Sequence, residues 1–138
     1  MAGKRWGRVG QVSKSRRVNP IMKSTAPCFT ASVAGALGLL TAPDGKRFAP
    51  VFEHGSLLVE IYAPRGRDPQ QRHTRDEVYV VASGSGEYVC GEMRLKFGVG
   101  DLLFAAAGVE HRFENFTNDL AVWVIFYGPE GGEAEGAH

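Results

Sequence analysis

From Arg47 onward, short apolar and β-branched segments alternate with turn residues such as Gly, Pro, Asn and Asp. This pattern is typical of short β-strands in a sandwich or barrel. The pair Gly91-Glu92 predicts a tight hairpin, because glycine accepts the positive φ that such turns need. Eight strands are predicted: Phe48 to Phe52, Leu57 to Tyr62, Glu77 to Ala82, Glu87 to Cys90, Met93 to Phe97, Asp101 to Phe104, His111 to Phe116 and Ala121 to Tyr127. An all-β fold is expected, with enough strands to enclose a small ligand.

The last predicted strand, Ala121 to Tyr127, is apolar at every position and does not alternate. Such a run indicates a strand that is buried on both faces. One face would line the barrel and the other would meet a second subunit, which predicts a homodimer. The alternative is burial between two layers of a single monomer.

Length and composition limit the architecture. The chain has 138 residues, with 18 glycines and 7 prolines spread without a period. This is enough for one compact domain with a core and too little for a second catalytic domain. Its apolar stretches are shorter or more interrupted than the roughly 18 to 20 residues that cross a bilayer, so no membrane span is predicted.

Charge is distributed unevenly, although the formal net charge is only +1. Residues 1–43 contain seven Lys or Arg and no acid, whereas residues 44–138 contain nine bases and fifteen acids. Binding to nucleic acid depends largely on neutralising phosphates with a basic face, so the acidic body argues against a nucleic-acid partner.

Both ends of the chain are expected to lie outside the barrel, which is assigned to residues 28–129. Residues 1–27 are predicted to be a disordered, basic N-terminal extension. They would be an upstream extension before a true start at Met22, a secretory or twin-arginine signal around Arg16-Arg17, or a basic arm for nucleic acid or anionic lipid. Residues 130–138, rich in Gly and Glu, are predicted to be a flexible acidic tail.

Cysteine usage fits a reducing compartment. Cys28 and Cys90 allow at most one disulfide, which excludes a disulfide scaffold and a metal site made of four cysteines. A cytoplasmic location is therefore expected, with secretion through an N-terminal signal as the alternative.

Four positions carry candidate chemistry: Gln71, His73, Glu77 and His111. Imidazole and carboxylate groups are good ligands for a divalent transition metal. His73 and Glu77 share parity on an extended chain, but a straight strand would place them roughly 13 Å apart. The chain must bend within residues 74–76 for both to reach one ion, and His111 would arrive from another strand.

These residues resemble the two sequence motifs of the cupins. The first motif has two metal-binding histidines, a glutamate and, after six intervening residues, a glycine, and the chain carries Gln71, His73, Glu77 and Gly84 at corresponding positions. The second motif corresponds to Gly100, Gly108, His111 and Asn115, with Ala106 in place of a proline. The resemblance implies a double-stranded β-helix, the jelly-roll cupin barrel, over roughly residues 47–128.

Two departures from the motif bear on the site. Gly66 lies one residue nearer to the motif than the family's glycine, and Gln71 stands where the family has its first histidine. His73, Glu77 and His111 would then form a two-His, one-carboxylate set for Fe, Mn, Ni, Co or Zn. Gln71 would contribute its amide oxygen to the metal or to a bound water. The alternative is a degenerate site that binds metal weakly.

A metal held by one carboxylate favours anionic, oxygen-rich ligands such as carboxylates, enediols, diketones and sugar acids. By parity with the ligands, the pocket is predicted to contain Tyr79, Val81, Phe113 and Asn115, although each aromatic ring has ordinary core packing as its alternative.

Three functions stay open at this point: a metal-dependent enzyme of the dioxygenase or isomerase type, a small-molecule binding or sensing module, and a structural dimer with a vestigial site.

Overall fold

The structure is a computed structural model that describes residues 22–23, 27–41, 45–69 and 72–134. A six-stranded sheet with the order β1-β2-β3-β9-β4-β7 faces a three-stranded sheet with the order β6-β5-β8. The elements are β1 Met22–Lys23, α1 Val33–Leu37 with a following 3₁₀ turn Gly38–Thr41, β2 Phe48–His54, β3 Leu57–Tyr62, β4 Asp76–Ser83, β5 Gly86–Cys90, β6 Met93–Phe97, β7 Leu102–Ala105, β8 His111–Glu114 and β9 Ala121–Tyr127.

All eight predicted strands are present, and their pairing in two sheets confirms the all-β jelly-roll architecture. All of their ends fall within two residues of the prediction. Strand β8 ends at Glu114 because Asn115 has φ 50°, a left-handed conformation that Asn tolerates better than most residues. The predicted hairpin joins β5 to β6 through Gly91, with Cys90 paired to Met93.

The space between the sheets is filled by aromatic and branched side chains. Tyr79 and Val81 on β4 point inward and pack with Phe113 on β8 and with Val122 and Val124 on β9. Ring pairs such as Tyr79 and Phe113, with centroids 5.0 Å apart, cross nearly edge to face. This core fills one part of the interior, and a cavity occupies another part of the barrel.

The outer face of the six-stranded sheet is apolar across five strands. Two rows of registered residues cross it without a charge: Phe104-Val78-Ile125-Val59-Phe52 and Leu102-Val80-Trp123-Ile61-Ala49. This explains why the sequence of β9 does not alternate.

The segment before β2 covers one end of this face. Ser32 caps α1 by accepting a hydrogen bond from the Gly35 N–H at 2.9 Å, and Ala36 packs against the β2–β3 end of the sheet. Phe29 stacks on Phe52 with centroids 4.3 Å apart. Burial between two layers of one monomer, the alternative to dimerisation, therefore accounts for part of the face.

Both ends of the described chain contact the barrel. Within the extension expected to be disordered, Met22–Lys23 pairs in parallel with Phe52 and Glu53; residues 1–21 and 24–26 lie outside the described residues. The tail expected to be flexible from residue 130 is bound at its start, because Gly131 donates to the Thr74 carbonyl at 2.7 Å and Glu133 donates to Asp76 at 2.9 Å. The buried Asp76 carboxylate needs such donors.

In the described part of the chain, no helix is long and apolar enough to cross a bilayer.

Candidate metal centre

Glu77 is a carboxylate placed in the interior by the alternation of β4. It shares the inward face with Tyr79 and Val81, and its side chain is 1% exposed. Burying a carboxylate is costly unless charged or hydrogen-bonding groups surround it. Two histidines lie next to it, one from the preceding bend and one from the opposite sheet.

His73 reaches Glu77 because the chain bends at Thr74 and Arg75 before β4 begins. The predicted bend is confirmed, except that Asp76 already belongs to the strand. Two hydrogen bonds to backbone carbonyls fix the bend: the Gly108 N–H donates to the His73 carbonyl at 2.8 Å, and the Arg75 side chain donates through Nε to the Gly128 carbonyl at 3.1 Å. His73 Nδ1 consequently lies 2.7 Å from Glu77 Oε2.

His111 comes from β8 in the other sheet. Its Nδ1 lies 2.8 Å from the Val109 carbonyl. Because a carbonyl only accepts, Nδ1 carries a hydrogen, so that Nε2 keeps its lone pair in the neutral ring and gains a hydrogen when the ring is protonated. Nε2 points into the interior, 2.8 Å from Glu77 Oε2. Such a backbone bond commonly orients a metal-binding imidazole.

Ligand atoms of His73, Glu77 and His111 all lie within 4.8 Å of one another. Among the described residues, Glu77 Oε1 and His111 Nε2 are buried without a hydrogen-bond partner, so the 2.8 Å approach of Nε2 to Oε2 lacks hydrogen-bond alignment. Ligands at about 2.1 Å from one ion are about 3 to 3.5 Å apart, and the two distances from Glu77 Oε2 to the histidine nitrogens, 2.7 and 2.8 Å, lie a few tenths of an ångström below this range. Two imidazoles and one carboxylate therefore fit a divalent transition metal.

Without a metal, Glu77 and His111 shift each other's pKa. Burial raises the pKa of Glu77, but its contacts with His111 and His73 outweigh burial and leave that pKa below its usual range. Burial lowers the pKa of His111, but the Glu77 carboxylate and the Val109 carbonyl outweigh it and leave that pKa raised. A metal ion would have to displace a proton from this set, which couples its binding to pH.

A cavity of about 740 Å³ opens onto His73 and Glu77. Its walls include apolar and aromatic side chains of β2, β3 and β9, namely Phe48, Tyr62, Val124 and Phe126. His111 is 1% exposed and lies behind Glu77. We refer to His73, Glu77 and His111 together as the metal group. A ligand of moderate size in this cavity would meet the open side of the metal group.

Glu60 is a second carboxylate in the cavity, and the sequence analysis missed it. It lies opposite Val124 in the pairing of β3 with β9, on the inward face with Tyr62. Burial raises the pKa of Glu60, with Glu77 adding to this effect and His73 opposing it. The available signal was a charged residue at an inward position of an otherwise apolar strand.

Positively charged side chains, also missed by the sequence analysis, line the same cavity. Arg47 lies just before β2, and Arg65 and Arg67 follow β3, joined by a narrow turn at Gly66. Lys46 lies beside them with its ammonium over the Phe48 ring, 5.8 Å from the centroid. This end of the cavity is cationic although the body of the protein is acidic.

The residues predicted to form the pocket lie elsewhere. Tyr79, Val81 and Phe113 are buried in the core cluster, and none of them lines the cavity. The parity argument correctly placed them inside, but their own packing fills that part of the interior. Asn115 is exposed in the turn after β8, where its Nδ2 donates to Glu87 Oε1 at 2.9 Å. The predicted ligand Gln71 lies outside the described residues.

The motif glycines have structural roles around the site. Gly84 has φ 88°, and a Cβ there would lie 2.7 Å from the Leu120 Cα, so a side chain does not fit. Gly108, with φ 81°, directs its N–H to the His73 carbonyl. Ala106, in place of the family's proline, accepts from the Val109 N–H at 3.1 Å and closes the same turn.

The chain is similar to known proteins in sequence and in fold. A curated relative, the uncharacterized protein SCO3923 of Streptomyces coelicolor, is 38% identical over 63 residues, which is 46% of this chain and 60% of that protein. The chain thus spans about 60% of the length of the curated relative that it matches.

Solved structures share the fold. TT1209 from Thermus thermophilus is 26% identical with a TM-score of 0.53, over 67% of this chain and 95% of that one. A cupin 2 conserved barrel domain protein from Salinispora arenicola CNS-205 is 15% identical with a TM-score of 0.56, over 75% and 91%. The family model described as Cupin domain matches residues 58–127, which include His73, Glu77 and His111. The chain therefore belongs to the cupin family.

Proposed function

We propose that this protein is a metal-dependent enzyme that acts on a small, anionic, oxygen-rich molecule in the cavity beside His73 and Glu77. The observation that carries the proposal is the convergence of two imidazoles and one carboxylate within 4.8 Å at the edge of a 740 Å³ cavity. Fe, Mn, Ni, Co and Zn all suit such a set of donors.

The protein residues divide into holding and positioning roles. His73, Glu77 and His111 would hold the metal, with the Val109 carbonyl orienting His111. When bound, the divalent ion supplies a Lewis acid with open positions for a chelating ligand. Phe48, Tyr62, Val124 and Phe126 exclude water around the ligand and limit its width.

Glu60 is the group placed to exchange a proton with a ligand in this cavity. Its raised pKa keeps the protonated form populated at a higher pH than an exposed Glu would allow. A carboxyl group of this kind serves an isomerase or lyase, which moves protons on its substrate. A dioxygenase of the same family would need the open metal positions more than Glu60.

The test is a comparison of turnover with binding. Protein reconstituted anaerobically with Fe(II), and separately with Mn(II) or Zn(II), is mixed with hydroxy acids, diketones and sugar acids. Oxygen uptake with Fe(II) would identify a dioxygenase, and NMR changes in the ligand without oxygen uptake would identify an isomerase or lyase. A ligand-induced rise in Tm without any product would contradict the enzyme proposal and favour a binding or sensing cupin.

We also propose that the protein forms a homodimer through the outer face of the six-stranded sheet. The two apolar rows on this face extend beyond the part that α1 covers and reach β7. There, 66% of the Leu102 surface and 46% of the Phe104 surface are exposed. An uncharged face of this kind packs against another apolar surface, and a two-fold axis brings the same rows of a second copy together.

We also propose a cytoplasmic location. The free thiols of Cys28 and Cys90 support a reducing compartment, the cytoplasm.

A further inference from the structure

We propose that Arg47 and Arg65 bind a second oxyanion of the substrate, a carboxylate or a phosphate, at the end of the cavity away from the metal group. This inference rests on the proposed function and names the substrate class: an elongated molecule with a metal-chelating group at one end and an oxyanion at the other. It follows from how the two guanidinium groups are held, from the missing carboxylate partners and from the layout of the cavity.

Backbone contacts hold both guanidinium groups beside the same carbonyl. The Ala63 N–H donates to the Arg47 carbonyl at 2.8 Å, and Arg47 Nε donates back to the Ala63 carbonyl at 2.7 Å. Arg65 Nη1 lies 3.4 Å from that carbonyl and 3.4 Å from the carbonyl of Pro64. The bond through Nε leaves the two Nη atoms of Arg47 available to a planar oxyanion.

These arginines have no ion-pair partner within the part of the chain that the structure describes. No carboxylate there forms an ion pair with Arg47, Arg65 or Arg67, whereas Arg94 lies 2.8 Å from both Glu87 and Glu114 on the opposite sheet. Burial, together with the nearby Arg65, lowers the pKa of Arg47. Two like charges held side by side favour a bound anion, because an anion relieves their repulsion.

The segment that carries Arg65 is fixed rather than loose. Gly66 has φ 77°, and the Arg67 N–H donates to the Arg65 carbonyl at 2.7 Å, which closes a three-residue turn. The next residue, Asp68, accepts hydrogen bonds from the Tyr62 hydroxyl and, at 2.7 Å, from the Phe113 N–H on β8. The arginine side chains therefore start from a backbone that is anchored to both sheets.

The arginine pair and the metal group lie at different ends of one cavity. Phe126 is registered with Glu77 on one side and with Leu58 on the other. Leu58 therefore lies at the level of Glu77 in the sheet. Ala63, which binds Arg47, comes five residues after Leu58 along the chain, a distance of roughly 16 Å at about 3.3 Å per residue. Between these ends, Glu60, Tyr62 and Pro64 line the cavity at alternate positions. One elongated ligand in this cavity would contact both.

The experiment measures ligand affinity by calorimetry on the full chain loaded with Zn(II) or Mn(II). The probes are an α-hydroxy monocarboxylate, the α-hydroxy dicarboxylate of the same chain length, and the analogue with a terminal phosphate. We expect the two dianions to bind about 10- to 100-fold more tightly than the monoanion, as hydrogen bonds to charged groups suggest. The preferred dianion distinguishes a carboxylate site from a phosphate site.

Arg65→Gln is the main variant, because Arg65 is exposed and its loss leaves the core intact. It should remove most of the preference for dianions, while metal content and monoanion affinity stay at the wild-type level. Arg47→Lys keeps the charge but loses the planar fork, and it should reduce the same preference. Lys96→Gln removes one positive charge from exposed β6 and should change nothing.

Equal affinity for monoanion and dianions, or an unchanged preference in Arg65→Gln, would overturn the arginine site. This result is distinct from failure of the metal proposal, which would show as absent metal. In that case, inorganic phosphate on the metal-free protein still tests the arginine pair: saturable binding that Arg65→Gln abolishes supports it, and no binding refutes it.

Discussion

Glu77 on the six-stranded sheet and His111 on the three-stranded sheet meet with Oε2 and Nε2 2.8 Å apart, both side chains 1% exposed. This contact connects the two sheets through a charged pair rather than through apolar packing. Because a buried ion pair stabilises a fold weakly against its desolvation cost, the contact is better explained as a site for a ligand than as a structural support.

The pH dependence of stability should reveal this pair in the metal-free protein. The raised pKa of His111 contributes stability that is complete below its ordinary value of 6.5 and is lost as pH rises through the raised value. The lowered pKa of Glu77 contributes stability that is present above 4.5 and is lost as pH falls. The contribution of the pair is therefore largest between these two pH values.

The measurement is Tm against pH in the presence of a chelator, for the wild type and for His111→Gln. The difference between the two proteins should be largest at about pH 4.5 to 6.5 and should shrink above it. A difference that keeps growing toward pH 9 would contradict the assigned protonation.

Glu60→Gln should stabilise the metal-free protein at neutral pH. The raised pKa of Glu60 means that its stabilising contribution is present below 4.5 and is lost as pH rises and the carboxylate ionises. The amide has similar shape and no charge to desolvate. Urea unfolding at pH 7.5 should give a higher midpoint than for the wild type, with the difference vanishing near pH 4; a lower midpoint at pH 7.5 would mean that the charge is compensated.

Much of the fold was predictable because it depends on local patterns. Short apolar and β-branched segments separated by turn residues predicted the eight strands, and motif spacing with a bend after His73 predicted the three candidate ligands. Helix α1 was missed because a five-residue VAGAL segment is too short for helical periodicity. It forms because Ala36 packs on the outer face of the six-stranded sheet.

The cavity was not predictable in the same way. Parity identifies which residues point inward, but not which part of the interior the core fills. Arg47, Glu60 and Arg65 come together through the pairing of β2 with β3 and the turn at Gly66, and no local pattern of the sequence specifies this.

Gly84→Ala should destabilise the fold by about 2 to 4 kcal/mol, because it adds strain at positive φ to a clash with the Leu120 backbone. Gly98→Ala is the matched control, since a Cβ at Gly98 meets nothing within 4 Å and its φ is not in the left-handed region. Chemical denaturation of both variants checks the prediction. Equal stability of the two variants would show that the barrel relaxes around Gly84.

Phe104→Lys should disrupt the proposed dimer without unfolding the barrel, because it places a charge in an apolar row on the outer face of the six-stranded sheet. Light scattering after size-exclusion chromatography should give a dimeric mass for the wild type and a monomeric mass for the variant. Met93→Lys, at a residue 57% exposed on the other sheet, should leave the dimer intact. A monomeric wild type would refute the dimer.

Metal content tests the central claim most directly. Untagged protein purified without chelators, and a second sample reconstituted anaerobically with Fe(II), are analysed by elemental mass spectrometry beside Glu77→Gln, His111→Ala and the surface control Lys96→Gln. We predict about one metal per chain in the wild type and the control, and almost none in the two ligand variants, which remain folded by circular dichroism. A full metal complement in Glu77→Gln and His111→Ala, or no metal in the wild type under either condition, would contradict the assignment of His73, Glu77 and His111 as a metal site.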